Sequence, residues 1–156
     1  MKKDFFDKML EVMENPNVYL IFVGLGYPRL EEFLEKYPGR AINTEASEQT
    51  ALDIAVGLAY SGKIPFVYTI TPFFYRGWET IRTYIAHERL NVKLIGAGRD
   101  DDYSKEDGYT HDAQDIGKHL DLLEIEQLYP QNTSDVSEMI KWMLEVKEPQ
   151  FLSLTR

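Results

Sequence analysis

The residues of this chain best suited to chemistry are a glutamate, an aromatic residue and a histidine, each of which follows a predicted strand. Glu48 lies at the start of a helix rich in small apolar residues, Phe73 comes just after a strand, and His111 lies in a long polar loop. A carboxylate in a semi-buried pocket can transfer protons, and an aromatic ring can stack on a flat heterocycle. A ligand site containing all three residues is therefore one hypothesis.

Each of these residues also has an ordinary structural interpretation. Glu48 could cap the free N–H groups of its helix, where the helix dipole favours a carboxylate. Phe73 could pack in the core, and His111 could be a surface residue among polar neighbours. Local sequence leaves the two interpretations about equal for all three.

Other familiar signatures are missing or incomplete. Gly24-Leu25-Gly26 follows a strand, but no third glycine completes a dinucleotide fingerprint, so a tight turn explains it better. The acidic run 100–102 is more typical of a solvated loop than of a cation site. The chain has no cysteine and no histidine pair at metal-ligand spacing, so we expect no metal ligand from this chain.

Composition excludes several classes of partner. The 156 residues carry a net charge of -9, which argues against nucleic acid or an anionic membrane as the main partner. Charged residues are spread over the first fifteen positions, which is not the pattern of a secretory signal. No apolar run approaches the length of a membrane span. We therefore expect a soluble, cytoplasmic protein.

Strands and helices alternate along the whole chain. Apolar runs predict six strands, at residues 18–23, 40–43, 64–70, 92–97, 123–128 and 151–154. Such alternation predicts one α/β domain over residues 1–156, a three-layer, doubly wound and mainly parallel sheet with helices on both faces. A helix is predicted over 74–88, and its predicted core-facing residues are Trp78, Ile81, Ile85 and Tyr84. Ligands of such sheets bind outside the carboxyl ends of the strands, where the segments that hold Glu48, Phe73 and His111 begin.

Several motifs in order resemble the pyrimidine-binding domain of transketolases and deoxyxylulose-phosphate synthases. The resemblance covers essentially the whole chain from about Val18 onward. The motifs that carry it are Glu48-Gln49, Ala55-x-Gly57-Leu58-Ala59, Ser61-Gly62-Lys63-Ile64-Pro65-Phe66-Val67, Thr71-x-Phe73, Ile81-Arg82, Asn91-Val92-Lys93, Glu106-Asp107-Gly108-x-Thr110-His111 and Pro149 followed by Thr155-Arg156.

This resemblance implies that the chain binds thiamine diphosphate. Glu48 matches the family glutamate that hydrogen-bonds a ring nitrogen of the cofactor's aminopyrimidine and so activates the cofactor. Phe73 matches the aromatic residue that stacks on the pyrimidine. Arg76 lies where a second side chain often contacts that ring.

The resemblance also implies a set of substrate contacts. His111 matches a catalytic histidine near the ketol oxygens of the substrate, and Asp107 matches an acid that binds an acceptor hydroxyl. Arg99 stands where transketolases use a histidine for the substrate phosphate, and Arg156 matches an arginine at the same group. Two cations would suit an anionic sugar such as a sugar phosphate or a nucleotide sugar, although Arg99 could equally pair with its acidic neighbours.

Departures from the family pattern point to a partner. The chain has no counterpart of the family's diphosphate-binding domain or of its C-terminal domain. We expect a separate diphosphate-binding subunit to ligate Mg²⁺, in a heterotetramer with two copies of each chain. The implied activity is transfer of a ketol or activated-aldehyde unit between sugar-like substrates. The alternatives are a non-catalytic binding or regulatory homologue and a fragment of a longer transketolase-like enzyme.

Overall fold

Six parallel strands form one sheet in the computed structural model, which describes residues 1–24, 29–99, 102–103, 111 and 115–155. The strands are β1 (Val18–Phe22), β2 (Ala41–Asn43), β3 (Ile64–Ile70), β4 (Lys93–Ala97), β5 (Glu126–Leu128) and β6 (Gln150–Leu154). Their order in the sheet is β2-β1-β3-β4-β6-β5, and every recorded pair is parallel. The predicted sheet is confirmed.

Helices cover both faces of this sheet. They are α1 (Lys2–Val12), α2 (Arg29–Lys36), α3 (Glu48–Tyr60), α5 (Ile116–Leu122) and α6 (Thr133–Glu145), with α4 described below. One apolar core joins α1, α2 and α6 to the sheet, and a second core joins α3, α4 and α5 to the other face. Alternate residues of β1 divide between them, since Leu20 belongs to the first core and Ile21 to the second. This alternation follows from the two-residue period of a strand.

The segment after β3 is helical but irregular. Thr71–Gly77 forms a 3₁₀-helix, Trp78–Thr80 an α-helical turn and Ile81–Ala86 a wider π-type turn, and we label the whole segment α4. The helix therefore starts three residues earlier than predicted, at the carboxyl end of β3. Ile81 and Ile85 are buried as predicted, but Tyr84 is 48% exposed, so the prediction that it faces the core was wrong.

Strand β5 is shorter than its apolar run suggested. Glu124 has a φ of 53°, in the left-handed region, and this turn separates Leu123 from the strand that begins at Glu126. No helix of the described residues is long and apolar enough to cross a membrane.

The strand order decides where a ligand can bind. β1 lies between β2 and β3, so the connection from β1 to β2 and the connection from β2 to β3 run in opposite directions across the sheet. Their helices α2 and α3 pack on opposite faces, which opens a crevice at the carboxyl ends of these strands. The starts of α3 and α4 both lie at this edge because they follow β2 and β3 directly.

Candidate functional site

The turn between β2 and α3 is built around Asn43. The side-chain Oδ1 of Asn43 accepts hydrogen bonds from the backbone N–H groups of Gly24, at 3.0 Å, and Glu45, at 2.9 Å. A Cβ atom on Gly24 would lie 3.1 Å from the backbone of Glu45, so glycine permits the close approach of the two loops. Glu45 has a φ of 52°, which turns the chain sharply into α3.

Glu48 is the first residue of α3 and is almost completely buried, with 3% of its surface exposed. The N-cap residue is Ser47, whose hydroxyl lies 2.7 Å from that of Thr50 and makes no side-chain capping bond. The carboxylate Oε1 of Glu48 accepts a hydrogen bond of 2.8 Å from Nη1 of Arg76. A buried carboxylate needs such a partner because its charge has lost the stabilisation of water.

Two contacts fix the start of α4 beside this carboxylate. The buried Thr71 hydroxyl donates a hydrogen bond of 2.6 Å to the carbonyl oxygen of Gly98, and this bond joins the chain after β3 to the chain after β4. Gly77 lies so close to α3 that a Cβ atom there would clash with Cδ1 of Leu52. Because the two helices pack this closely, Arg76 can reach Glu48.

Aromatic and cationic groups extend from Glu48 in a row. The Arg76 guanidinium carbon lies 3.9 Å from the ring centroid of Phe73. The ring of His111 lies 5.0 Å from the Phe73 ring, centroid to centroid and tilted by 60°. The structure therefore brings four predicted site residues into one set of contacts, which we call the Glu48 row: Glu48, Arg76, Phe73 and His111.

Tyr103 extends this row, and nothing in the sequence singled it out. Its ring centroid is 5.7 Å from that of His111. A Cβ atom on Gly98 would clash with the Tyr103 ring, so the absence of a side chain there makes room for the ring. Lys2 donates a hydrogen bond to the Tyr103 hydroxyl and lies 5.0 Å from the ring centroid. A tyrosine in a polar loop has no periodicity or spacing that could have predicted this position.

The side chain of Arg99 contacts residues outside the Glu48 row. Its Nη2 donates to the carbonyl oxygens of Ser153, at 2.5 Å, and Pro130, at 3.1 Å, and its guanidinium carbon lies 5.4 Å from the Tyr129 ring centroid. Its backbone N–H donates to the carboxylate of Asp102 at 3.1 Å. Substrate binding by Arg99 stays a prediction. The predicted substrate residues Asp107 and Arg156 lie outside the described residues.

A smaller polar contact lies on the outer side of α4. The Tyr75 hydroxyl is 2.6 Å from Nδ1 of His119, and the Trp78 ring packs against both rings. Burial, with a further contribution from Asp115, raises the pKa of Tyr75 far above its usual range. The hydroxyl therefore keeps its proton at neutral pH.

Metal ligands are not grouped in the part of the chain that the structure describes. Within it, no three histidine, aspartate or glutamate side chains lie close enough together to hold a metal ion. The Glu48 row itself offers a buried carboxylate and an aromatic stacking surface. Together they suit a flat, nitrogen-containing ring.

Two curated proteins are similar to this chain in sequence. The chain is 25% identical over 158 residues to an apulose-4-phosphate transketolase subunit of Phocaeicola vulgatus, covering 99% of this chain and 51% of the relative. It is 24% identical over 127 residues to the protein of the same name from Actinobacillus succinogenes, covering 81% and 41%. The chain thus spans about half the length, or less, of these curated relatives.

A solved structure shares the fold. A split-gene transketolase described as an inactive β4 tetramer superposes with a TM-score of 0.84 at 24% identity, over 99% of this chain and 51% of that chain. A family model described as the transketolase pyrimidine binding domain matches residues 6–156. The chain therefore belongs to the family of transketolase pyrimidine-binding domains.

Proposed function

We propose that this chain is the pyrimidine-binding subunit of a split, transketolase-like enzyme that depends on thiamine diphosphate. The reaction is transfer of a ketol or activated-aldehyde unit between sugar-like substrates. The observation that carries the proposal is the buried carboxylate of Glu48, joined through Arg76 to Phe73 and His111 at the carboxyl edge of the sheet. Relatives that are themselves named as transketolase subunits support the split arrangement.

The aminopyrimidine of thiamine diphosphate fits the residues of the row. Glu48 would hydrogen-bond a ring nitrogen, Phe73 would stack on the ring, and Arg76 would be a second side chain in contact with the ring. When bound, the cofactor supplies carbanion chemistry, and the protein orients it. The part of this chain is to hold a carboxyl group at the ring nitrogen in a pocket sheltered from water, where proton transfer is efficient.

The diphosphate and Mg²⁺ require a second chain in this proposal. The described residues contain no group of metal ligands, and the chain spans about half of its relatives. A separate diphosphate-binding subunit would supply both functions, and we propose a heterotetramer with two copies of each chain. The inactive β4 tetramer of the split-gene transketolase supports the expectation that the pyrimidine-binding chain alone is inert.

The substrate would bind beyond the cofactor ring, toward His111. Phe73 contacts both Arg76 and His111, so it links the two residues in the Glu48 row. We propose that His111 binds the ketol oxygens of the substrate. Asp107 would contact an acceptor hydroxyl, and Arg156 an anionic group of the substrate. Nη2 of Arg99 already donates to the carbonyl oxygens of Ser153 and Pro130. Only the rest of its guanidinium could bind the same anionic group of the substrate as Arg156.

The test is reconstitution of activity. The chain is mixed with candidate diphosphate-binding subunits, thiamine diphosphate and Mg²⁺, and ketol transfer is measured for wild type, Glu48→Gln and Glu45→Gln. We expect activity only in the mixture and a loss of about 10²- to 10⁴-fold for Glu48→Gln, as for removal of a proton-transfer group. Glu45→Gln is the matched control because Glu45 is an exposed carboxylate three residues away.

Three outcomes would contradict the proposal. Full activity of Glu48→Gln in the mixture would remove the assigned role of Glu48. Tight, Mg²⁺-dependent binding of thiamine diphosphate by the isolated chain would contradict a site divided between subunits. Failure to form any complex with the diphosphate-binding subunit would favour a non-catalytic binding module.

A further inference from the structure

The Arg76 guanidinium makes two contacts at once inside the Glu48 row. Its Nη1 donates a hydrogen bond of 2.8 Å to Oε1 of Glu48, and its central carbon lies 3.9 Å from the ring centroid of Phe73. The guanidinium is thus a flat, nitrogen-rich plate that lies over an aromatic ring while it donates to a buried carboxylate. It fills the space between Glu48 and Phe73.

An aminopyrimidine would need the same two contacts. Its ring nitrogen and amino group form an amidine-like edge that can bond to a carboxylate, and its face can stack on Phe73 at about 3.5–4 Å. Both plates cannot lie between Glu48 and Phe73 together, because each needs the van der Waals thickness of a ring. The carboxylate oxygen of Glu48 and the ring face of Phe73 can therefore bind either the guanidinium or the aminopyrimidine, but not both at once.

Arg76 is able to leave this position. Its side chain is 53% exposed, whereas that of Glu48 is 3% exposed, so the arginine can swing into solvent while the glutamate stays in place. A guanidinium that moves into water regains hydration. By contrast, a carboxylate left without a partner at 3% exposure would be unstable, so a ligand must take over the hydrogen bond that Arg76 gives up.

We propose that Arg76 occupies, in the free chain, the place of the aminopyrimidine and is displaced when this ring binds. The inference rests on the proposed function for the identity of the ligand. Arg76 then contacts the bound ring from its new position, at a place where the family resemblance implies a second ring contact. While the pair is formed, Oε1 of Glu48 already accepts a hydrogen bond from Arg76 and is not open to a ring nitrogen. Arg76 therefore keeps the site closed and selects for ligands that replace both of its contacts.

Binding of free thiamine by the isolated full chain tests this inference. Thiamine carries the aminopyrimidine but no diphosphate, so neither the partner nor Mg²⁺ is needed. The variants are Arg76→Ala, Arg76→Lys and the control Arg82→Ala. Arg82 is matched because it lies on the same helical segment, is 56% exposed and pairs with Glu79 at 2.7 Å.

We expect Arg76→Ala to bind thiamine more tightly than wild type by on the order of tenfold, since the ligand no longer competes with an ion pair and a cation–π contact. Arg76→Lys should show a smaller gain, because an ammonium keeps the charge but is not a flat plate. Arg82→Ala should bind within about twofold of wild type. Urea unfolding of each variant shows whether it is folded. If Arg76→Ala does not fold, the comparison of Arg76→Lys with wild type carries the test.

Weaker or unchanged binding by both Arg76 variants would overturn the inference, and weaker binding would show that Arg76 is a direct ligand contact. Absence of thiamine binding by every variant would overturn it as well. The proposed function fails separately. If the mixture with the diphosphate-binding subunit is inactive while Arg76→Ala gains affinity for thiamine, the displacement stands and the assigned reaction is wrong.

Discussion

Two buried ionisable side chains lie at opposite ends of the parallel strands, and their surroundings differ. Glu48 follows β2 at the carboxyl edge, and within the described part of the chain its carboxylate has one hydrogen bond, from the half-exposed Arg76. Lys93 is the first residue of β4, at the amino edge, and is fully buried. Its ammonium donates to the carbonyl oxygens of Val146 and Glu148, both at 2.8 Å, and to Oε1 of Gln150 at 2.7 Å.

The difference is one of hydrogen-bond saturation. An ammonium has three donors, and Lys93 uses all three on groups that belong to the fold. A carboxylate can accept about four hydrogen bonds, and Glu48 depends on one side chain that can move away. A saturated buried charge stabilises the structure around it, whereas an unsaturated one beside a crevice is available to a ligand.

Substitution of the two residues should separate these roles most strongly. We expect Lys93→Met to lower the free energy of unfolding by about 3 kcal/mol, because three buried acceptors lose their donor. Glu48→Gln should change it by less than about 1 kcal/mol, since the amide oxygen can still accept from Arg76. Urea unfolding of both variants measures the difference. Lys3→Met is the control, because the Lys3 side chain is 76% exposed.

A small effect of Lys93→Met, comparable with that of Lys3→Met, would mean that the three hydrogen bonds contribute little. A large effect of Glu48→Gln would mean that Glu48 also stabilises the fold. In either case the structural roles of Glu48 and Lys93 would differ less than their hydrogen bonds indicate.

The packing that supports the Glu48 row can be tested with two glycines. We expect Gly77→Ala to destabilise the chain by about 2 kcal/mol, because the new methyl group would clash with the buried Leu52 and overpack the contact. Gly57→Ala is the matched control. Gly57 lies within α3 with no atom within 4 Å of its added Cβ, so alanine should stabilise the helix by about 0.5–1 kcal/mol.

Both variants are measured by thermal and urea unfolding of the isolated chain. Equal stability of Gly77→Ala and Gly57→Ala would show that α4 can move away from α3 without cost. The position of Arg76 beside Glu48 would then need another explanation than close helix packing.

The third prediction concerns the pH dependence that Lys93 introduces. Burial lowers the pKa of Lys93 from 10.5 to about 7 in the folded chain, against the opposing effects of Glu126 and Glu148. Between these two values the unfolded chain binds the proton and the folded chain does not, so stability rises with pH across this interval. The slope is at most about 1.4 kcal/mol per pH unit, and the gain is lost as pH falls to about 7.

The measurement is the difference in unfolding free energy between wild type and Lys93→Met from about pH 6 to about pH 10, an interval that spans most of the expected change. We expect the difference to grow in favour of wild type as pH rises above the folded-state pKa of about 7. The three acceptors favour the charged form and act against burial, because a neutral amine has only two hydrogens to donate. A difference that does not vary with pH would show that these acceptors hold the ammonium fully charged.

Much of the fold followed from the sequence because its signals are local. Strand β3 runs from Ile64 to Ile70 as predicted, and Asn132 caps α6 by accepting from the backbone of Asp135 at 3.1 Å. The outward position of Tyr84 was not predicted, since a π-type turn shifts the helical period after Thr80. The burial of Lys93 was not predicted either, because a lysine beside an apolar run gives no sign that backbone carbonyls will surround it.

For the site, the sequence by itself determined which residue types follow the strand ends: Glu48 after β2 and Phe73 after β3, in an order that matches a known family. Only the tertiary structure decided their contacts. Glu48 and Arg76 are 28 positions apart, and they meet because the strand order places α3 and α4 together at Gly77. Such pairing depends on how elements distant in sequence pack, and no local pattern encodes it. The sequence therefore identified Glu48 as a residue that could serve catalysis, and the structure showed that Arg76 is its partner in the free chain.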